Sequence, residues 1–163
     1  MVSVPISEQA VWDILRTIPD PEIPVLSLID LGIVTRVRTD DGAVEVTLCP
    51  TFSGCPALHQ MRMDVEETLV SHGCTQVTVI VDQRASWTTD LLAENARRRL
   101  QAFGIAPPPP RGESLPATLA LPVKCPHCGS SETKLDSEFG ATLCKQLYLC
   151  NSCHQAFERF KPL

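Results

Sequence analysis

At residues 48–58 the chain reads LCPTFSGCPAL, and this stretch decides how the first half of the molecule folds. Before it, residues 44–48 alternate apolar and polar side chains with the period of two that is typical of a half-buried strand. After it, residues 58–69 carry apolar side chains at helical spacing, and Pro56 suits the first turn of a helix. The pattern predicts a strand, a short loop and a helix, with Cys55 where the helix begins.

Cys55 is the first candidate functional residue. Unpaired backbone amides and the positive end of the helix dipole lie at a helix N-terminus, and both stabilise a thiolate. We therefore expect Cys55 to be an activated nucleophile or a metal ligand, with an inert buried cysteine as the alternative. Cys49, across the same loop, is either its partner in a redox pair or an ordinary buried strand residue.

The flanking sequence predicts helices and strands in the order α-β-β-α-β-α, which indicates a small α+β domain of two layers with helices on one sheet face. Asp41-Gly42 is typical of a hairpin turn between the first two strands. The strand–helix–strand connection that follows makes the third strand parallel to the second. The expected helices lie at residues 7–18, 56–71 and 89–103, and the expected strands at residues 32–38, 43–49 and 77–81. Ser7 is expected to cap the first helix.

Two carboxylates, Asp20 and Glu22, lie between the first helix and the first strand, where they are flanked by Pro19, Pro21 and Pro24. Proline disfavours the helical conformation in the residue before it, so this segment is expected to be a stiff extended loop. Two carboxylates at this spacing indicate either a metal-binding or general-base pair or an ordinary surface turn.

The last 39 residues hold five of the eight cysteines. Cys125 and Cys128 form one Cys-x-x-Cys pair and Cys150 and Cys153 form another, which is the pattern of a four-thiolate metal site. A tail of this size has too little core to fold alone, so metal coordination would contribute its folding free energy. We expect a closed, structural Zn²⁺ site, with rubredoxin-like iron as the alternative.

Three other tail residues carry metal-binding side chains. Cys144 either replaces a ligand, acts as an accessory thiol near the metal, or packs in a strand, and the last interpretation is favoured. His127 and His154 adjoin the cysteine pairs but are not expected to be ligands, because four thiolates already complete a site. The small apolar core of the tail is expected to contain Phe139, Tyr148, Phe157 and Phe160.

A proline-rich segment divides the chain. Residues 107–122 begin with four consecutive prolines and predict a stiff linker. We therefore expect the α+β domain over residues 1–106 and a zinc ribbon, rubredoxin-like in its ligands, over residues 123–163.

Composition excludes several classes of function. The 14 Lys and Arg against 19 Asp and Glu give a formal net charge of −5, which argues against a nucleic-acid partner. The sequence shows neither a membrane-spanning apolar stretch nor a signal peptide, so we expect a cytoplasmic protein without a membrane partner. No Ser-His-Asp order, glycine-rich phosphate loop or His-Glu-x-x-His motif indicates an enzyme.

Several motifs together resemble known families. DPEIPV at residues 20–25, IDLGIV at residues 29–34, PTFSGCP at residues 50–56 and Trp87 resemble the SufT-type iron–sulfur cluster assembly family. In the tail, the segment SEFGATLCK at residues 137–145, the cysteine pairs around it and FERFK at the end resemble the D-subunit family of the phenylacetyl-CoA 1,2-epoxidase system.

The resemblance implies a non-catalytic accessory protein of aerobic phenylacetate degradation. It would help to install the iron–sulfur cluster of the reductase subunit or the di-iron centre of the oxygenase subunit. Iron or a cluster would be handled transiently at Cys55, with Asp20, Glu22 and Thr51 beside it. Cys49 departs from the family pattern, which weakens the redox-pair hypothesis. The alternative is a structural or docking subunit of the epoxidase, and formation of a homo-oligomer stays open.

Overall fold

The computed structural model describes residues 6–52, 54–109 and 122–162, and the chain divides into two compact units, Met1–Trp87 and Thr88–Leu163. The first unit contains α1 (Glu8–Leu15), β1 (Val34–Asp40), β2 (Ala43–Leu48), α2 (Leu58–Ser71) and β3 (Gln76–Val81). The second contains a 3₁₀ turn (Thr89–Leu91), α3 (Ala96–Phe103), β4 (Ile105–Ala106), β5 (Thr133–Ser137), β6 (Lys145–Cys150) and β7 (Ala156–Phe160). The predicted α+β class with a C-terminal four-cysteine ribbon is confirmed.

The sheet of the first unit has the order β1-β2-β3, with β1 antiparallel and β3 parallel to the central strand, as predicted. Asp41 and Gly42 connect the antiparallel pair with φ values of 47° and 88°. Two consecutive left-handed residues are what a type I′ hairpin turn requires, which is why Asp-Gly forms it. α1 packs against β1 and α2, and α2 packs against β3, so the helices lie over the buried side chains of β2.

Both helices of the first unit are shorter than predicted. Ser7 caps α1 as expected, since its Oγ accepts a hydrogen bond from the Ala10 amide at 3.2 Å. The helix ends at Leu15, ahead of the conformational restriction that Pro19 imposes. α2 begins at Leu58 rather than at Pro56, because the Leu58 amide first makes a tighter bond of 3.2 Å to the carbonyl three residues before it.

The second unit begins earlier than the predicted domain boundary. Ile105 and Ala106 of β4 pair in parallel with β7, in a sheet of order β4-β7-β6-β5. The predicted helix over residues 89–103 is wrong in its first half, because buried Leu92 adopts an extended ψ of 133° and separates the 3₁₀ turn from α3. Residues 88–106 thus belong to the second unit, whereas the predicted first domain included them.

Most of the predicted linker lies outside the described residues, because residues 110–121 are not among them. Ser53, in the loop before Cys55, and residues 1–5 also lie outside. Among the described helices, none combines the length and the apolar character needed to cross a lipid bilayer.

The aromatic residues of the ribbon do not all form its core. Tyr148 and Phe157 stack with ring centroids 5.7 Å apart, and Phe160 is fully buried. Phe139 is 57% exposed, so its predicted core position is wrong. The reason lies on another strand: the Glu158 carboxylate of β7 fills the space under the loop, since a Cβ on the next residue, Gly140, would lie 2.7 Å from it.

Candidate metal-handling sites

Each Cys-x-x-Cys pair of the second unit lies in a tight turn. In the first turn, the Gly129 amide donates to the carbonyl of Cys125 at 2.9 Å, and Gly129 has a φ of 76°. In the second, the His154 amide donates to the carbonyl of Cys150 at 3.0 Å, and His154 has a φ of 60°. The two turns are therefore alike, and each ends on a left-handed residue that glycine accommodates best.

The turns bring four sulfur atoms together. The Sγ atoms of Cys125, Cys128, Cys150 and Cys153 all lie within 4.8 Å of one another. Two of these separations are 3.8 Å (Cys125 to Cys153) and 3.6 Å (Cys128 to Cys150). Tetrahedral coordination with metal–sulfur bonds of about 2.3 Å places neighbouring sulfurs about 3.8 Å apart. The donor set therefore fits a tetrahedral, thiophilic divalent metal.

The thiols of this cluster influence one another's ionisation. The pKa of Cys150 is lowered to about 7, mainly by the hydrogen bond from the Cys153 amide, although burial opposes this shift. The pKa of Cys153 is raised to about 12, because burial and hydrogen bonds with the neighbouring thiols outweigh the Gln155 amide, which lowers it. A metal cation bound by all four sulfurs would therefore displace the protons of these thiols.

The other metal-binding side chains of the ribbon lie outside this cluster. His127 and His154 are exposed, and neither belongs to the four-residue ligand group that the described residues form. Cys144 lies just before β6 with its Sγ 3.2 Å from Thr142 Oγ1, at the opposite end of the strand from Cys150. Six residues of strand span about 20 Å, so the idea that Cys144 replaces a ligand is wrong.

The conformational role of the residue that closes each of these turns was not identified from the sequence. Gly129 and His154 are needed for their left-handed conformation rather than for metal binding. The spacing Cys-x-x-Cys-Gly was the available signal in the first turn, because glycine after such a pair indicates a positive φ.

Cys55 lies in the loop that precedes α2 in the first unit. Its amide donates to the Phe52 carbonyl at 3.1 Å, and Gly54, immediately before it, has a φ of 83°. The Cys55 side chain is half-buried, whereas Cys49 and Cys74 are at most 5% exposed. Cys55 is therefore the accessible cysteine of this unit.

The acidic loop reaches this cysteine. Asp20 is 3% exposed, and its Oδ1 accepts hydrogen bonds from the amides of Glu22 at 2.9 Å and Ile23 at 2.7 Å. Both Glu22 and Asp20 are close enough for their charges to act on the Cys55 thiol, with Glu22 the stronger. The structure thus brings Cys55 together with two carboxylates that lie more than thirty positions before it in the sequence.

The loop that carries these carboxylates is fixed by several contacts. The Asp20 amide donates to the Leu26 carbonyl at 2.8 Å. Ser27 and Asp30 exchange hydrogen bonds, each side chain accepting from the other residue's amide at 3.0 Å. Buried Trp87 donates from its indole Nε1 to the Leu31 carbonyl at 2.9 Å. These hydrogen bonds therefore fix the positions of Asp20 and Glu22.

The expected activation of Cys55 is wrong. Burial raises the pKa of its thiol, and the charges of Glu22 and Asp20 raise it further. The amides of Ala57 and Leu58 do lower the pKa, as a helix N-terminus should, but they are outweighed. Burial and the two carboxylates therefore favour the protonated thiol of Cys55 over its thiolate.

The other candidate residues near Cys55 in the sequence differ in their placement. Thr51 is half-buried, four residues before Cys55. Cys49 is buried, its Sγ donates to the Ala85 carbonyl at 3.4 Å, and burial raises the pKa of its thiol. His59 is exposed on α2. Cys49 thus has the character of an inert core residue rather than of a redox partner.

We predict that iodoacetamide modifies Cys55 before Cys49, Cys74 or Cys144 in the metal-loaded protein, because those three are almost fully buried. The alkylation rate of Cys55 rises with pH as the thiolate forms. Because the pKa of this thiol is raised, the midpoint of the rise lies at a higher pH than in the unfolded chain. Glu22→Gln removes a charge that raises this pKa, so the rate near neutral pH increases by about twofold or more.

Peptide mapping of the alkylated protein measures both effects. Glu67→Gln is the matched control, because it makes the same charge change at an exposed position of α2 and leaves the rate unchanged. Equal rates for Glu22→Gln and the unmodified protein would contradict the assigned influence of Glu22.

Comparison with known families covers both units. The profile of the iron–sulfur cluster assembly protein family matches residues 8–81, and that of the PaaD zinc beta ribbon domain matches residues 110–161. Two solved structures resemble part of this chain, each with 25% sequence identity. A DUF59 domain of unknown function from Bacillus anthracis has a TM-score of 0.54 and covers 57% of this chain and 90% of its own. A conserved hypothetical protein from Thermotoga maritima has a TM-score of 0.53 and covers 61% and 98%.

Two sequence relatives have descriptive names. A protein of Escherichia coli (strain K12), named as a candidate for the D subunit of 1,2-phenylacetyl-CoA epoxidase, is 44% identical over 151 residues, which cover 93% of this chain and 90% of the relative. An Fe-S protein maturation auxiliary factor of Porphyromonas gingivalis is 34% identical over 99 residues, which cover 58% of this chain and 90% of the relative.

Proposed function

Because this chain belongs to the family of phenylacetyl-CoA epoxidase D subunits, we propose that it delivers iron or an iron–sulfur cluster to a client subunit of that epoxidase. An accessory role in phenylacetate catabolism and iron–sulfur assembly is supported by both named relatives, one a subunit and the other a maturation factor. The observation that carries the proposal is the position of Cys55 beside Glu22 and Asp20.

This arrangement suits a carrier better than a permanent metal site. A thiolate is a soft ligand and carboxylates are hard oxygen ligands, and iron accepts both. The raised pKa of Cys55 means that a proton competes with the metal for the sulfur. Cargo bound there is held weakly and can pass to a stronger site in the client. Glu22 is the proposed oxygen ligand, because its charge acts on the Cys55 thiol more strongly than that of Asp20 does.

The four-cysteine site has a different role in this proposal. We assign zinc to it, because closed four-thiolate sites are most often structural zinc sites. All four protein ligands are thiolates, so no coordination position remains for a substrate. The metal would therefore contribute folding free energy to the ribbon. The expected reducing environment is the cytoplasm, where thiols persist.

A docking subunit is the second candidate function, and one observation favours it. Phe139 is 57% exposed on a loop that is held in place, since Glu158 accepts from the Ala141 amide and from Lys145 Nζ, both at 2.7 Å. A fixed, exposed aromatic side chain is a common anchor in protein interfaces. In this role the protein would bind the oxygenase or reductase subunit without transferring metal.

Co-expression of the full chain with each epoxidase subunit in turn tests the proposed function. The client should co-purify with this chain, and its iron content should fall when the chain is omitted. A docking subunit would co-purify with a client whose iron content does not depend on it. Full iron loading and normal activity of the oxygenase and reductase without this chain would overturn the delivery function.

A further inference from the structure

A cavity of about 330 Å³ lies within the second unit, apart from the four-cysteine ligands. Its walls are largely apolar: the prolines at residues 107–109, Pro122, Val123 and the end of β4 at Ala106. The volume is near the lower limit for small-molecule sites in proteins, which span about 300–1,000 Å³. It therefore suits a small organic molecule rather than a nucleotide or a coenzyme A thioester.

The polar groups at this cavity are cationic or neutral. Arg159 and Lys124 contribute to its lining, and no lining residue among those described is acidic. The walls thus combine an apolar surface with positive charge, which is complementary to an anion that has an apolar body.

The Arg159 guanidinium has a hydrogen-bonding group to spare. Its Nη1 donates to the Tyr148 hydroxyl at 3.3 Å, and the group lies 5.9 Å from the centroid of the Tyr148 ring. Its Nε is buried and has no hydrogen-bond partner. A buried donor without an acceptor is unfavourable, and arginine binds carboxylates through two adjacent N–H groups. Arg159 also lines the cavity, so its guanidinium is the group there to which a carboxylate would bind.

We propose that this cavity binds a small organic monocarboxylate, with its apolar body against the prolines and its carboxylate at Arg159 and Lys124. The site is independent of the metal delivery proposed for Cys55, because all its lining residues belong to the second unit. A ligand there would give the ribbon a means to respond to an organic acid.

Titration of the metal-loaded full chain with phenylacetate and with phenylacetamide tests the charge requirement. The two molecules share one shape, but only the first carries a carboxylate. Phenylacetate should bind saturably, and phenylacetamide about tenfold more weakly or worse, because it lacks the charged hydrogen-bond acceptor. Backbone amide chemical shifts should change at Ala106 and Val123.

Two substitutions locate the site. Arg159→Gln and Lys124→Gln should each weaken phenylacetate binding severalfold, whereas Lys134→Gln on exposed β5, outside the cavity lining, should not. The metal content of each variant shows whether its ribbon is folded. If Arg159→Gln is not folded, the affinity of Lys124→Gln for phenylacetate decides the result. Equal affinity for acid and amide, no saturation at concentrations on the order of 10 mM, or unchanged binding in a folded Lys124→Gln would overturn the proposal.

Discussion

Cys150→Ser is expected to release the metal of the ribbon and to unfold it. Cys150 is fully buried, and its Sγ lies 3.6 Å from that of Cys128. A serine hydroxyl is a poor substitute for a thiolate, and structural zinc sites contribute about 10–16 kcal/mol of apparent binding free energy. The metal content measured by mass spectrometry should fall from about one equivalent per chain to below about a tenth.

Ligand loss affects folding here because the metal ligands are also the core. One buried cluster of the ribbon contains Cys125, Cys150, Ala106 and Phe157, so two of these four core residues are thiols. Once the metal is lost, the remaining apolar surface is too small to stabilise the strands. The near-ultraviolet signal of Tyr148 should therefore disappear together with the metal.

Cys144→Ser is the matched control for this experiment. It also removes a buried sulfur from the second unit, but Cys144 is outside the ligand cluster. The variant should keep its metal and lose only the modest stability that one buried cysteine contributes. Full metal content in Cys150→Ser, or equal loss in both variants, would contradict the four-ligand site.

Local patterns predicted the parts of this fold that depend on local interactions. The Asp41-Gly42 turn, the Ser7 cap and the Cys-x-x-Cys pairs each act within a few residues, and the structure contains all three. The parallel pairing of β2 and β3 followed from the length of the connection between them.

The failures concern contacts between distant residues. β4 has two residues, too few for any periodicity, so its pairing with β7 was not visible in the sequence. The exposure of Phe139 depends on Glu158, which occupies the space beneath its loop from a strand about twenty residues away. In both cases a long-range neighbour decides the outcome.

The candidate site illustrates the same limit. The sequence indicated Cys55, Asp20 and Glu22 as separate candidates, and the resemblance grouped them. From the helix N-terminus alone, the sequence predicted a lowered pKa for Cys55. The structure adds burial and the two carboxylates, which raise the pKa. The sign of the shift thus depends on the approach of a loop that local sequence does not specify.

Cys55→Ser is expected to abolish iron delivery and to leave the fold unchanged. Serine keeps the size of the side chain and the backbone of the loop, whose Cys55 amide bonds to Phe52. It removes the soft sulfur ligand on which the proposed transfer depends. In cells that produce this variant, the epoxidase should assemble its subunits yet contain several times less iron and show correspondingly lower activity.

Three companion variants make this result specific. Cys74→Ser removes a buried cysteine of the same unit and should support full iron loading. Glu22→Gln should give an intermediate loss, because one oxygen ligand is gone while the sulfur remains. Cys150→Ser disrupts only the ribbon. If Cys55→Ser supports normal iron content and activity while Cys150→Ser prevents assembly of the complex, Cys55 is an ordinary loop cysteine and the protein is a docking subunit whose ribbon does the binding.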